Sequence, residues 1–342
     1  MRIRIFVGTG GVGKTSVAAA SGLAAAIAGS RCLLLTIDPA TRLKTALGMG
    51  TAGEAQKVPI ESFSPKGELW AAQLDVKASM DDTVRNYAKP GQAEIILGHP
   101  IYQAIGTLAG MQELMAIQRI SKASAQGYDA VVVDTAPSRH ALEFLDKPEY
   151  FAQLISSPMV RLVGRTYHWW EKSTLARLGR MGFDLYRQIE DLIGAKLARD
   201  VLEFFAAFVD VAEGYAKEAG KTMKTLRDSK VTSFTIVTSP FKAKRDAQYF
   251  WEELRKRKFF IEGLLVNRVW PRLAVAARPN ATGEAQALAT WYNSTSAAHR
   301  QAWESIADEY AVKIPHLLPL RELATDVDGL PALFQIAQAL GS

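Results

Sequence analysis

Cysteine is nearly absent from this sequence, since Cys32 is the single thiol in 342 residues. One cysteine excludes a disulfide within the chain and a metal site made of cysteines alone, and it agrees with a reducing compartment. Long apolar runs are absent too, because no stretch of about 18 apolar residues is free of charge. The opening segment Met1–Val7 is too short for a secretory signal. We therefore expect a cytoplasmic protein without a membrane-spanning segment.

Internal repeats and a concentrated charge of one sign are also missing. No fixed-period similarity runs along the chain, which excludes solenoids and propellers. The net charge of +6 is spread along the sequence. The densest basic run, Arg255–Lys258, follows Glu252 and Glu253 at a predicted helix end, where cations offset the helix dipole. We therefore expect no nucleic-acid partner, and membrane association only through a partner protein.

Short apolar or β-branched runs recur along the chain, and each predicts a buried strand. They cover residues 2–8, 32–37, 68–74, 129–134, 231–238, 260–267 and 312–315. Most of the intervening segments have helical periodicity, and strands that alternate with helices form a mostly parallel sheet with helices on both faces. The predicted fold class is therefore α/β, with a sizeable core, since 48% of the residues are hydrophobic.

Two segments between predicted strands, residues 76–126 and 146–229, are longer than one crossover helix requires. Both carry apolar residues at three- to four-residue spacing, which predicts a single inserted helical subdomain. Residues 1–75, 127–145 and 230–342 then form the core domain. Methionines and broad apolar faces in the insertion fit either an adaptable hydrophobic groove or plain core packing. The candidate groove residues are Met111, Met115, Phe204, Phe205 and Phe208.

The most specific motif is a complete GxxxxGK[ST] loop at Gly8–Thr15, between an apolar run and an Ala-rich helical run. Glycines let the backbone curl so that several N–H groups point at phosphate oxygens, and the start of the next helix adds its positive dipole end. Lys14 would contact the β- and γ-phosphates, Thr15 would place its hydroxyl on Mg²⁺, and Ser16 would support the α-phosphate. The predicted nucleotide-binding residues of the loop are Gly10, Gly11, Val12, Gly13, Lys14, Thr15 and Ser16.

Two aspartates lie at the carboxyl ends of predicted strands, at the sheet edge where the loop also lies. Asp38 can orient or deprotonate the attacking water, and Asp134 ends an apolar strand in the arrangement that holds a water on Mg²⁺. Taken alone, an aspartate after a strand can instead cap the next helix. Together with the loop, the aspartates predict ATP and Mg²⁺ as cofactors. Lys14 and Asp38 are the expected catalytic residues, and Thr15, Asp134 and Asp38 the expected metal site.

Three segments together resemble the arsenite-pump ATPase family, which includes the targeting ATPase of the guided-entry pathway for tail-anchored membrane proteins. They are GGVGKTS at 10–16, DPATRLKTALG at 38–48 and DTAPSRHALEFL at 134–145, in the family's order and spacing. The resemblance implies a P-loop NTPase fold with ATPase activity. It places Asp38 in switch I as the water-activating residue, and Asp134 in switch II, which reports loss of the γ-phosphate to the helical subdomain.

The resemblance continues towards the carboxyl end of the chain. Leu265–Arg268 ends a predicted strand as in family members, where the asparagine reads the adenine edge, so Asn267 is the expected adenine contact. An asparagine at a strand end can instead simply form a turn. The later segment Ile314–Pro319 resembles the family's loop over the base. Arg268 and Pro319 are therefore included among the expected nucleotide contacts.

Position 9 departs from the family pattern, in which a lysine reaches the phosphates of the partner subunit. Thr9 occupies this catalytic position but has no charge to offset the charge that develops in phosphoryl transfer. Our hypothesis is that Arg139 in switch II, or Arg42 just after switch I, supplies the missing cation. Either arginine can equally be an ordinary surface charge.

The single cysteine and the single P-loop also bear on what the resemblance implies. Family members that bind arsenite or zinc use several thiols, so with Cys32 alone we expect neither thiol-bound arsenite nor zinc. One P-loop per chain implies a homodimer, because pump ATPases often carry two fused halves. The implied function is a switch whose insertion binds an apolar helix of a client or membrane protein. Two alternatives stay open: a regulatory ATPase that binds a partner without hydrophobic cargo, and the energising subunit of an anion efflux pump.

Overall fold

The computed structural model describes residues 1–38, 47, 53–105, 110–136, 142, 145–146, 195–272 and 282–341. The strands within these ranges are β1 Arg2–Val7, β2 Arg31–Thr36, β3 Gln56–Lys57, β4 Glu68–Gln73, β5 Ala130–Asp134, β6 Thr232–Thr238, β7 Ile261–Val269 and β8 His316–Arg321. The helices are α1 Lys14–Ile27, α2 Val76–Tyr87, α3 Ala93–Gly98, α4 Pro100–Ile105, α5 Met111–Ala125, α6 Ala195–Arg227, α7 Ala243–Lys256, α8 Gly283–Tyr310 and α9 Leu330–Gly341.

The strands form one 8-stranded sheet in the order β3-β4-β2-β5-β1-β6-β7-β8. All neighbouring pairs are parallel except β3 with β4. The central strands are buried on both faces, as Ile3, Leu34 and Val132 show with exposures of 1%, 0% and 0%. Burial on both faces explains why these strands read as continuous apolar runs instead of alternating ones. The predicted α/β fold class is confirmed.

The last strand of the sheet begins later than the sequence indicated. A strand over 312–315 was expected, but β8 starts at His316, and Pro319 pairs with Val266 of β7. The segment that resembles a loop over the base is therefore, from His316 onward, an edge strand. Proline is tolerated there because an edge strand has one side without a ladder partner. The two-residue strand β3 was not predicted, since two residues carry no readable periodicity.

The chain divides into two compact units. Unit 1 comprises Met1–Leu74, Ala123–Leu142 and Thr225–Ser342, and it contains the whole sheet. Unit 2 comprises Asp75–Lys122 and Glu143–Lys224, and its described part is helical. Residues 147–194, including Met159 and Met181, lie outside the described residues.

Unit 2 is held together by buried contacts between α6 and the shorter helices. The hydroxyl of Tyr215 donates to the main-chain oxygen of Leu114 at 2.8 Å. A Cβ added to Gly214 would come within 2.4 Å of the Tyr87 ring, so the two helices approach closely at this glycine. Lys89 and Asp210 add an ion pair at 2.8 Å on the surface of the unit.

The candidate groove residues divide into two groups. Met115 and Phe204 are buried, with 4% and 2% of their surface exposed, whereas Met111 and Phe208 are half-buried. The side chain of Phe205 lies outside the described residues. Met111, Met115 and Phe208 line one pocket of unit 2 with a cavity of about 50 Å³. The other lining residues are Met80, Thr83, Val84, Tyr102, Leu114, Val211, Ala212 and Tyr215.

A helix must be both long and apolar to cross a membrane. Among the residues that the structure describes, no helix combines the length and the apolar character needed to cross a bilayer.

Candidate active site

The loop between β1 and α1 has the backbone conformation that its glycines predict. Gly11 and Gly13 both have φ of +80°, a region that side-chain-bearing residues rarely adopt. A Cβ on Gly13 would also come within 2.2 Å of the Asn267 side-chain nitrogen. Position 13 therefore requires glycine for two independent reasons, backbone conformation and space.

Helix α1 starts directly after this loop. Gly13 is its N-cap and makes no side-chain hydrogen bond, and its main-chain oxygen accepts the first intrahelical bond, from Val17 N at 3.0 Å. The first N–H groups of a helix have no partner within it, and they carry the positive end of the helix dipole. This arrangement suits an anion such as a phosphate group.

Asp134, at the end of β5, is the centre of the site and is 0% exposed. Lys14 forms an ion pair with its Oδ1 at 2.6 Å, and the lysine also donates to the main-chain oxygen of Thr135. The hydroxyls of Thr15 and Thr36 donate to Oδ2 at 2.8 and 3.2 Å. A buried carboxylate is tolerated here because a cation and two hydroxyls satisfy it.

These oxygen atoms are also the ones that could hold a magnesium ion. Mg²⁺ prefers hard oxygen ligands, and Asp134, Thr15 and Thr36 bring a carboxylate and two hydroxyls together. The residues present therefore fit the cation that the loop motif implies. Within the described part of the chain, no group of three or more His, Cys, Asp or Glu residues could hold a metal by itself.

Asp38 lies two residues beyond the end of β2. Its main-chain oxygen accepts from Gln73 Nε2 at 3.2 Å and from the Thr36 hydroxyl at 3.4 Å. Because Thr36 pairs with Asp134 across the sheet, the register brings Asp38 to the same edge as Asp134. Thr36 itself was not predicted, because threonine is common in strands and only the register reveals its neighbour. Arg42, proposed as a replacement cation, lies outside the described residues.

Asn267 contacts the loop backbone. Its Nδ2 donates to the main-chain oxygen of Val12 at 2.9 Å, and the residue is 7% exposed. The adenine contact stays a prediction. Arg268, which follows, has φ of +64° and lies with its Nε 3.6 Å from Glu322 Oε2. Pro319, the remaining expected contact, is half-buried on β8.

Thr9, at the position where the family carries lysine, is bound to the start of α7. Its hydroxyl donates to Asp246 Oδ2 at 2.5 Å, and Asp246 is 0% exposed. The ammonium group of Lys242 donates to the main-chain oxygen of Gly10 at 3.0 Å. Neither Lys242 nor Asp246 was predicted, since nothing in the local sequence relates α7 to the loop. Arg139, the other proposed cation, lies outside the described residues.

Cys32 is the remaining reactive group on the central strands. It is buried in β2, and burial raises the pKa of its thiol to about 12. A thiol with such a pKa is not a thiolate near neutral pH, and the thiolate is the form that binds soft ions.

Four features of this site define the class of P-loop nucleotide hydrolases. They are a strand, a glycine loop after it, a buried lysine at the start of the next helix, and an aspartate that ends the neighbouring parallel strand. The family comparison agrees with this class. The chain belongs to the anion-transporting ATPase family, whose family model matches residues 1–342. The resemblance drawn from the three motifs is confirmed, and at the level of the family so is the expectation of an ATPase.

Individual relatives share part of the sequence. An arsenical pump-driving ATPase of Prosthecochloris vibrioformis, so named putatively, is 34% identical over 154 residues, which cover 44% of this chain and 36% of that protein. ATPase GET3 of Lachancea thermotolerans is 30% identical over 166 residues, 44% of this chain and 46% of its own length. ATPase GET3 of Podospora anserina is 23% identical over 270 residues, 78% and 72% of the two chains. The first two matches thus span less than half the length of those relatives.

Proposed function

We propose that this chain hydrolyses Mg-ATP at the loop and uses the reaction as a switch. The observation that carries the proposal is the buried cluster in which Lys14, Thr15 and Thr36 all contact Asp134. The cluster combines the phosphate-binding cation with the oxygen atoms that suit Mg²⁺. When bound, the metal ion neutralises charge on the β- and γ-phosphates.

The reaction is a transfer of the γ-phosphoryl group to water. Asp38 orients the water and accepts its proton as the bond to phosphorus forms, and the bond to the β-phosphate oxygen breaks to release ADP and phosphate. Lys14 stabilises the negative charge on the transferred group, after exchanging its ion pair with Asp134 for the phosphates. Glycine-loop N–H groups hold the phosphates, and Asn267 Oδ1 is the atom that we assign to the adenine amino group.

The proposed assembly is a homodimer that closes on ATP and changes the arrangement of unit 2. The proposal rests on the single P-loop in these 342 residues, because a second copy of the chain would supply a second P-loop. The proposed client is an apolar helix, and the pocket lined by Met111, Met115 and Phe208 is its candidate binding site. Opening this pocket on ATP binding would couple hydrolysis to client release.

A second function is favoured by a specific observation. Among the described residues of unit 2, Ile95 is the one large apolar side chain that is strongly exposed, at 65%. Met115 and Phe204 are buried, which also fits a plain core. The alternative is therefore a regulatory ATPase whose unit 2 binds a partner protein without hydrophobic cargo. An energising subunit of an anion efflux pump is a further alternative, supported by the relative named as an arsenical pump-driving ATPase.

The experiment is a steady-state assay of ATP hydrolysis with increasing amounts of a detergent-solubilised apolar helix peptide. We expect hydrolysis by the wild type, its loss in Asp38→Asn, and a saturable change of rate with the peptide. A scrambled peptide with the helix broken by proline is the control. Hydrolysis that does not respond to the peptide would contradict the client and leave the regulatory alternative, and no hydrolysis at all would contradict the proposal itself.

A further inference from the structure

The start of α7 contacts two consecutive residues of the P-loop. Lys242 is the residue at the N-cap of α7, and Asp246 lies in its first turn. Asp246 N donates to the main-chain oxygen of Lys242 at 3.0 Å, so the two residues lie four apart on one face of the helix. From this face, Lys242 reaches the main-chain oxygen of Gly10, and Asp246 accepts from the Thr9 hydroxyl.

The contact with Gly10 fixes the direction of a peptide group. In a planar trans peptide, the carbonyl of one residue and the N–H of the next point in opposite directions. Lys242 holds the Gly10 carbonyl on the α7 side, so the N–H of Gly11 is directed away from α7. On the other half of the loop, Asn267 holds the Val12 carbonyl in the same manner and thereby directs the N–H of Gly13. The loop binds phosphates through such N–H groups.

The contact with Thr9 anchors the entry of the loop. Asp246 is completely buried, and a buried carboxylate is costly unless it accepts hydrogen bonds. The Thr9 hydroxyl supplies one to Oδ2, and the Nε of Arg245 lies 3.7 Å from Oδ1. Oδ1 accepts no hydrogen bond from the described residues. Loss of the Thr9 bond would thus leave Asp246 poorly satisfied, which favours the loop conformation that keeps the bond.

We propose that the first turn of α7 positions the P-loop for phosphate binding, with Lys242 fixing the Gly10–Gly11 peptide group and Asp246 fixing Thr9. The inference rests on the proposed nucleotide site. Lys242 is a positioning residue, because it acts through the Gly10 carbonyl. Gly11 does little to fix this conformation by itself, because glycine tolerates many backbone conformations and a Cβ added there would meet none of the described residues within 4 Å. An anchor from outside the loop is what selects the phosphate-binding conformation.

The test compares Lys242→Ala with Lys244→Ala, which removes the same charge from an exposed position of α7. For Lys242→Ala we expect the KM for ATP and the Kd for ADP, measured by calorimetry, to rise about tenfold, the size of one hydrogen bond to a charged group. We expect kcat to change less than about twofold, because an interaction made equally in the ground and transition states affects KM alone. Lys242→Arg, which keeps a charged donor, should recover most of the affinity.

Four results would overturn the inference or separate it from the proposed function. Equal KM and Kd values in Lys242→Ala and Lys244→Ala, with an active wild type, would refute the positioning role alone. A lower kcat with unchanged KM would also refute it, since a loss of folded enzyme lowers only the rate. A wild type that binds ADP but does not hydrolyse ATP would refute the hydrolysis, and the Kd comparison would still decide the role of Lys242. A wild type that binds neither nucleotide would overturn both.

Discussion

The proposed phosphate-binding site of unit 1, called the phosphate site below, and the apolar pocket of unit 2 are built by opposite means. In the phosphate site, the buried charges of Lys14 and Asp134, with exposures of 3% and 0%, are paired with each other. The pocket is instead lined mainly by methionine, aromatic and aliphatic side chains, whose packing contacts are not directional. Hydrogen bonds and ion pairs depend on single atoms, whereas apolar packing depends on volume. Substitutions should therefore harm unit 1 through lost partners and unit 2 through lost volume.

The largest effect is expected where one partner of the buried ion pair is removed. Asp134→Ala leaves the Lys14 ammonium buried without its counter-charge, and we expect a loss of about 3–5 kcal/mol in the free energy of unfolding. Hydrolysis should be abolished as well. Urea unfolding of the full chain, followed by tryptophan fluorescence, measures the first effect.

The matched control removes both charges together. Lys14→Met with Asp134→Leu replaces the pair by apolar groups, which is often neutral for stability. The double variant should regain most of the unfolding free energy while hydrolysis stays absent. Equal stability losses in Asp134→Ala and the double variant would show that packing, and not the unpaired charge, causes the effect.

The next effect tests volume in unit 2. Met115 is 4% exposed, so Met115→Ala should leave a cavity and lower the unfolding free energy by about 2–4 kcal/mol. Met115→Leu keeps most of the volume and should lower it by less than about 1.5 kcal/mol. Thermal unfolding of the two variants side by side is the measurement. If Met115→Leu were as harmful as Met115→Ala, the pocket would depend on shape as strictly as the phosphate site does.

A smaller difference is expected between two glycines of the loop. Gly11 and Gly13 share φ of +80°, but a Cβ added to Gly13 would meet Asn267, whereas one on Gly11 would meet none of the described residues within 4 Å. Gly11→Ala should lower the unfolding free energy by about 1 kcal/mol from backbone strain, and Gly13→Ala by about 2–3 kcal/mol because Asn267 must also move. Calorimetric unfolding without nucleotide isolates this effect from phosphate binding. Identical losses at the two positions would argue against the contact with Asn267.

The hydroxyl of Thr9 should have a still smaller effect. Thr9→Val keeps the shape but removes the donor to the buried Asp246, and we expect a loss of about 1–2 kcal/mol. Thr9→Ser, which keeps the hydroxyl, is the control for the loss of the methyl group. Chemical denaturation of both variants is the measurement, and a Thr9→Val protein as stable as Thr9→Ser would show that Asp246 does not need this bond.

The smallest effect concerns His299, a buried titratable residue of unit 1 outside the phosphate site. Burial lowers the pKa of His299, and its Nδ1 accepts from Trp270 N at 3.2 Å. The pKa of histidine in an unfolded chain is about 6.5, so below that pH the unfolded chain binds more protons than the folded one. Stability should thus fall as the pH drops from about 7.5 to about 5.5, and less so in His299→Asn, whose side-chain oxygen can replace Nδ1. A pH dependence unchanged by His299→Asn would assign the fall to other groups.

Most of the sheet was predictable because buried parallel strands leave continuous apolar runs in the sequence. The start of β8 was misplaced, since Ile314 is apolar and buried although it precedes the strand. The two groups of candidate groove residues could not be told apart, because periodicity identifies a buried helix face but not how deep each residue lies.

The sequence by itself determined the glycine-loop motif and the α/β class, because loop, lysine and helix start are adjacent in the chain and their chemistry is local. The tertiary structure alone decided which side chains support them. The contacting residues are far apart in the chain: 98 residues for Thr36 with Asp134, 255 for Asn267 with Val12, and 237 for Thr9 with Asp246. Their contacts depend on strand register and on the docking of α7, which are properties of the folded sheet, and no local pattern encodes them.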